Sequence, residues 1–150
     1  MSVRLKDIAT AAVAVAVPDT PASVVAQLMR THHVGALVVV DAQDQSRPIG
    51  MLTDRDLVLG LMAEGLDPAL FTAGDLMSLD IVSATPEMDA MDAVQLMNTH
   101  RVRRLAIADA AGRLVGIVTL EDVLVLLTRE LATLCGGLVG ARDSEVRQRP

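Results

Sequence analysis

The chain is written twice. Pro18–Val34 (PDTPASVVAQLMRTHHV) lies 68 positions before Pro86–Val102 (PEMDAMDAVQLMNTHRV), and eight of the 17 aligned positions are identical: Pro18/Pro86, Ala22/Ala90, Gln27/Gln95, Leu28/Leu96, Met29/Met97, Thr31/Thr99, His32/His100 and Val34/Val102. The same offset pairs Asp7 with Asp75, Leu37 with Leu105 and Asp41 with Asp109. Further on the offset falls to 66, and Ile49–Asp56 (IGMLTDRD) aligns with Val115–Asp122 (VGIVTLED). The two extra residues of the first copy fall in its Gln43–Pro48 loop, where added backbone stays solvated. A duplication of this length repeats one supersecondary unit, so both copies must fold alike. One copy alone is too short to bury a sheet well; two copies packed together solve that.

Each copy predicts the order β-α-β-β-α. A short apolar stretch ends at Pro18 or Pro86. Helical spacing follows, with Val24, Val25, Leu28 and Met29 in one copy and Met91, Val94, Leu96 and Met97 in the other. Two strands come next, Ala36–Val40 and Ile49–Leu52, or Leu105–Ala108 and Leu114–Val118. The turns between them carry Asp and Gly. A second helix starts at Asp54 or Leu120. Nearly continuous apolar strands imply burial on both faces. The expected fold class is therefore α/β (α+β), two repeated β-α-β-β-α units packed sheet to sheet. We divide the chain into repeat one (1–66), repeat two (67–135) and a flexible tail (136–150) that is Gly-rich and then charged. A Gly- and Pro-bearing linker, Glu64–Gly74, joins the repeats.

Composition removes several function classes. With one Phe, no Tyr and no Trp, the chain lacks the stacking platforms of single-stranded nucleic-acid binders. A net charge of −6 repels phosphate backbones, so no nucleic-acid partner is expected. Arg4 and Lys6 before Ile8–Val17 imitate a signal peptide, but Asp7 interrupts them and the repeat claims the segment. No apolar run in the sequence reaches the length of a bilayer span, so no membrane partner is expected. A lone cysteine, Cys135, cannot form an internal disulfide and fits a reducing cytoplasm.

The residues with chemistry form Gly-x-x-Thr-x-x-Asp, present as Gly50, Thr53, Asp56 and as Gly116, Thr119, Asp122, each where a strand turns into a helix. A helix N-terminus attracts anions such as phosphate, and the Thr hydroxyl adds a donor. The Asp carboxylate can accept two hydrogen bonds from a ribose diol. The same Thr and Asp can also simply cap the helix, and the two roles are compatible. His32 and His100 end equivalent helices, which points to meeting last-turn carbonyls. His33 makes a pair with His32, but no Cys or carboxylate has metal spacing, and no order of residues suggests a catalytic nucleophile. We therefore expect no metal and no enzyme.

This repeated pattern, with His100–Asp109 (HRVRRLAIAD) and Gly50–Leu57 (GMLTDRDL), resembles a tandem pair of CBS domains, the Bateman module, from about Val3 to Thr133. Val34-Gly-Ala-Leu, Gly50–Asp56 and Gly65-Leu-Asp-Pro68 are similar to stand-alone bacterial CBS-pair proteins of the mycobacterial hypoxic-response type. The resemblance implies a pseudo-two-fold pair with two clefts. It implies polar anchors at Thr53, Asp56, Thr119 and Asp122, and a base slot near Ala16 and Val17 and near Ile81 and Val82. Family members often carry basic residues toward phosphates, which here would be Arg103 and Arg104 in repeat two and Arg55 in repeat one. The implied function is a regulatory sensor of an adenosine nucleotide (AMP, ADP, ATP or a relative), with no required cofactor. A homodimer and a downstream protein target are the implied partners. The alternative is a ligand-free dimeric adaptor.

Overall fold

The computed structural model describes residues 2–147. Helix α1 (Leu5–Ile8) comes first. Repeat one follows as β1 (Val15–Ala16), α2 (Ala22–His32), β2 (Ala36–Val40), β3 (Pro48–Thr53) and α3 (Asp54–Leu57), which runs on through a π turn at Val58–Met62. A 3-10 turn at Pro68–Leu70 leads to α4 (Ala73–Leu76). Repeat two is β4 (Ser83–Ala84), α5 (Ala90–His100), β5 (Arg104–Ala108), β6 (Leu114–Thr119) and α6 (Leu120–Arg147). Each repeat makes a three-stranded sheet, in the orders β1-β2-β3 and β4-β5-β6. The first pairing of each sheet is parallel and the second antiparallel, and both sheets break register at the same place, Val39/Val40 and Ile107/Ala108.

The central strands are buried on both faces. Leu37 and Val39 pack with Val25 and Met29 of α2 in one cluster; Leu105 and Ile107 pack with Ala93 and Met97 of α5 in another. Side chains alternate across a strand. Val38, Val40 and Ala106 therefore point to the opposite faces, yet they are just as fully buried.

The two leading helices are exchanged. Leu5 of α1 is fully buried in the core of repeat two, and Ala73 of α4 is fully buried in the core of repeat one. The backbone bonds that hold them are related by the repeat. Leu5 N–H donates to the Met88 carbonyl (3.0 Å) and Ala73 N–H to the Thr20 carbonyl (2.8 Å). Ala90 N–H donates to Val3 (2.8 Å), and Ala22 N–H to Phe71 (2.9 Å). An exposed carboxylate, Glu87, adds ion pairs to Arg4 (2.9 Å) and Lys6 (2.8 Å). The hydrogen bond from Lys6 is the main reason its carboxyl sits below the usual range. The division at 66/67 thus describes the order of the chain, whereas each packed unit borrows a helix from across it.

Two further expectations change. The tail does not fray after Cys135. Helix α6 continues through Gly136, Gly137 and Gly140 to Arg147, because no proline or left-handed residue stops it; positions 148–150 lie outside the described residues. As one helix, α6 is also long and apolar enough for a membrane span by length and composition, although its first turns are docked through Val123 and Leu126. Finally, His32 and His100 make no recorded bond to the last helical carbonyls. The backbone N–H groups of the next residues, His33 and Arg101, do so from left-handed conformations (φ 53° and 55°).

Replacing Leu5 by Ala removes a fully buried side chain from the exchanged helix and should cost about 3 kcal/mol of stability, read as a lowered Tm in urea-free thermal unfolding. Lys6→Ala, which loses only the exposed ion pair, should leave the Tm nearly unchanged.

Candidate functional site

The two Gly-x-x-Thr-x-x-Asp motifs have the same local geometry. Thr53 Oγ1 accepts from Asp56 N–H at 3.1 Å, and Asp56 Oδ2 accepts from Thr53 N–H at 2.8 Å. Thr119 and Asp122 repeat both bonds at the same distances. Each pair is thus a capping box with Asp in the usual Glu position. Capping leaves the Thr hydroxyl proton free to donate and leaves Asp Oδ1 without a recorded partner among the described residues. The motif glycines pack against the exchanged segments. A Cβ on Gly50 would stand 2.9 Å from the Ser78 carbonyl, and one on Gly116 3.1 Å from that of Thr10. Met51 and Ser78 bond reciprocally there (3.1 and 2.9 Å), as do Ile117 and Thr10 (both 3.0 Å).

That contact brings the second repeat's leading segment alongside the first repeat's motif. Between them lies a cleft of about 410 Å³. Thr53, Arg55 and Asp56 form one wall, Ile81 and Val82 another, and Arg101, Arg103 and Arg104 a third; Met51, Asp54, Ser78, Asp80 and Val102 complete it. An adjoining hollow along Ser78–Ser83 widens it toward Leu96 and His100. Gly35 borders it, where a Cβ would lie 3.1 Å from Asp54 Oδ2 and in ordinary contact with Arg104 Nη2. Arg103 is ion-paired with Glu121. The Glu121 carboxyl is held below its ordinary range first by its own backbone N–H, then by Arg103 and, more weakly, Arg104.

Seven residues expected from the sequence therefore meet: Thr53, Arg55, Asp56, Ile81, Val82, Arg103 and Arg104. The arginines of repeat two line the cleft with the motif of repeat one, while Arg103 is ion-paired with Glu121 and Arg104 pairs across the sheet with Thr119 of their own repeat. Asp122 instead borders a hollow of about 240 Å³ with Asp7, Val125 and Arg129. Ala16 and Val17 do not line the cleft. Ala16 is buried in the core of repeat one, and Val17 N–H donates to Thr20 Oγ1 (3.1 Å) in a turn. Strand register explains this: Val15 pairs with Val38 as Ser83 pairs with Ala106, so the counterparts of Ile81 and Val82 are Val13 and Ala14. Arg101, Asp54 and Asp80 were missed by the sequence reading. For Arg101 a signal exists in its alignment with His33, the other residue forced to positive φ.

Comparison with known proteins now decides the family. The CBS-domain model matches residues 5–63 and 73–129, each match opening on one of the exchanged helices. The chain belongs to the CBS-domain family. CBS domain-containing protein YhcV of Bacillus subtilis is 43% identical over 121 residues, 81% of this chain and 83% of that protein. The crystal structure of Hypoxic Response Protein I with two coordinated zinc ions is 37% identical with a TM-score of 0.71, covering 81% of this chain and 97% of that one. A CBS-domain protein from Pyrobaculum aerophilum complexed with AMP is 22% identical with a TM-score of 0.76, covering 87% and 99%. At that identity the likeness is one of fold. Among the described residues of this CBS pair, no three His, Cys, Asp or Glu side chains stand close enough to hold a metal ion.

A left-handed, non-glycine residue costs about 1 kcal/mol, and glycine avoids that cost. Arg101→Gly should therefore hold or raise the Tm while removing one cation from the cleft, so that its stability and its ligand affinity move in opposite directions.

Proposed function

We propose that this CBS pair is a non-catalytic regulatory module that binds one adenosine nucleotide in the cleft between its repeats. The observation that carries the reading is that four arginines, Arg55, Arg101, Arg103 and Arg104, line one cleft with the Thr53/Asp56 motif and an apolar wall at Ile81 and Val82, Arg103 being ion-paired with Glu121. The three chemistries match the three parts of a nucleotide. Guanidinium forks suit phosphate oxygens. The uncommitted Oδ1 of Asp56 suits a ribose diol, and the Thr53 hydroxyl can donate to a phosphate. Ile81 and Val82 suit the flat face of a base. The Pyrobaculum aerophilum protein supports this in kind, since it is complexed with AMP on the same fold.

The second copy of the motif would serve phosphate poorly. The counterparts of Arg55, Arg101, Arg103 and Arg104 are Glu121, His33, Gly35 and Ala36. We therefore assign one nucleotide per chain. The signal would pass to a second copy of the chain or to a separate target, and the exposed thiol of Cys135 fits a cytoplasmic setting. The adaptor reading draws on the exposed leucines of α6 and differs in needing no nucleotide.

Thermal unfolding with AMP, ADP, ATP, S-adenosylmethionine and NAD separates the two. A ligand at a hundredfold excess over its Kd should stabilise the chain by about 2.7 kcal/mol. Asp56→Ala should weaken that ligand by about 1.5–3 kcal/mol, whereas Asp122→Ala should not. Since Asp56 also caps α3, the comparison is of ligand-induced shifts within each variant. No shift with any of the five compounds, or a shift untouched by Asp56→Ala, would favour the adaptor.

A further inference from the structure

Three of the four arginines in the cleft, Arg55, Arg101 and Arg104, make no ion pair among the described residues. Arg103 does, through its Nη2 to Glu121 Oε1. Glu121 does not itself line the cleft, and its one recorded side-chain bond is this one. Any effect it has on a ligand there passes through Arg103.

Backbone holds the two residues together. Leu120 N–H donates to the Arg103 carbonyl (2.9 Å), and Arg104 pairs with Thr119 in the sheet. Repeat one makes the equivalent bond, from Asp54 N–H to the Gly35 carbonyl (2.9 Å). There the two side-chain positions are Gly35 and Arg55, so no ion pair can form. The pair is therefore an addition to a duplicated backbone, made in repeat two alone, and it falls on an arginine suited to phosphate.

Charge gives the pair a consequence. The lining carries four arginines against three aspartates, and Glu121 brings the balance to four against four. A guanidinium already paired with a carboxylate offers less to a phosphate, and holding both would set two anions side by side. Giving up the carboxylate costs little. Both side chains of the pair are more than half exposed, where ion pairs are weak. Glu121 also lies in the first turn of α6, and its own backbone N–H acts on its carboxyl more strongly than Arg103 does. A carboxylate released there stays at the positive end of a helix.

We infer that Glu121 competes with the ligand's phosphate for Arg103, so that binding transfers Arg103 from carboxylate to phosphate and leaves Glu121 on the N-terminus of α6. The inference rests on the nucleotide reading above and adds a control to it. Glu121 sets how much phosphate-bearing ligand fills the cleft, and it ties that event to the root of α6.

The test is calorimetric titration of AMP and of adenosine into the full chain and into Glu121→Gln, which keeps the shape and removes the charge. AMP should bind the variant about two- to fivefold more tightly, the worth of an exposed ion pair. Adenosine, with no phosphate, should bind both chains equally. In an Arg103→Ala background the same substitution should bring no gain. The Tm of each variant checks that α6 still starts normally. AMP affinity unchanged or weakened in Glu121→Gln, while the unmodified chain binds AMP and Asp56→Ala weakens it, would overturn this inference and leave the nucleotide reading standing. An equal gain for adenosine, or a gain that persists without Arg103, would also overturn it. Binding of neither compound by any of these chains would overturn both.

Discussion

The structure depends on the exchange of two short helices. By burying Leu5 in the second core and Ala73 in the first, the chain ties its halves together with backbone bonds that neither half could make alone. Burial of the leucine supplies energy, and the reciprocal bonds supply position. The segment that follows each helix is then fixed against the partner repeat's motif strand, with Ser78 beside Met51 and Thr10 beside Ile117. Backbone passes close to positions 50 and 116, where a Cβ would stand 2.9 Å from the Ser78 carbonyl and 3.1 Å from that of Thr10. The cleft exists because that segment runs on into Ile81 and Val82 before entering β4.

Duplication makes the frame symmetric, and later substitution makes the sites unequal. The capping boxes at Thr53/Asp56 and Thr119/Asp122 match in both bond lengths. Around them the side chains diverge: the Thr53/Asp56 motif shares a cleft with four arginines, whereas Asp122 borders a small hollow with Asp7 and Arg129. A folded scaffold thus holds two copies of one helix start. Four arginines line the cleft at one, and one arginine the hollow at the other.

Much of this was legible in the sequence. The repeat, strand and helix order, and Thr/Asp motif follow from spacing, and spacing survives folding. Pairing across the repeats did not. Linear order links Arg103 and Arg104 to the nearest motif, Thr119/Asp122, and the fold keeps that link while also bringing them into the cleft of Thr53 and Asp56. Ala16 and Val17 were misplaced by strand register, which two-residue strands barely signal. Arg101 was hidden because it stands at a left-handed helix end, a backbone feature that places it in the lining of the cleft. The helix past Cys135 escaped notice because three glycines argue locally against it.

The central claim is that one cleft, built from both repeats, binds one nucleotide phosphate. Calorimetric titration of AMP into the full chain tests it most directly. The account predicts one AMP per chain and loss of most of the affinity in Arg103→Ala/Arg104→Ala. Two equivalent sites per chain, or full affinity in that variant, would contradict it.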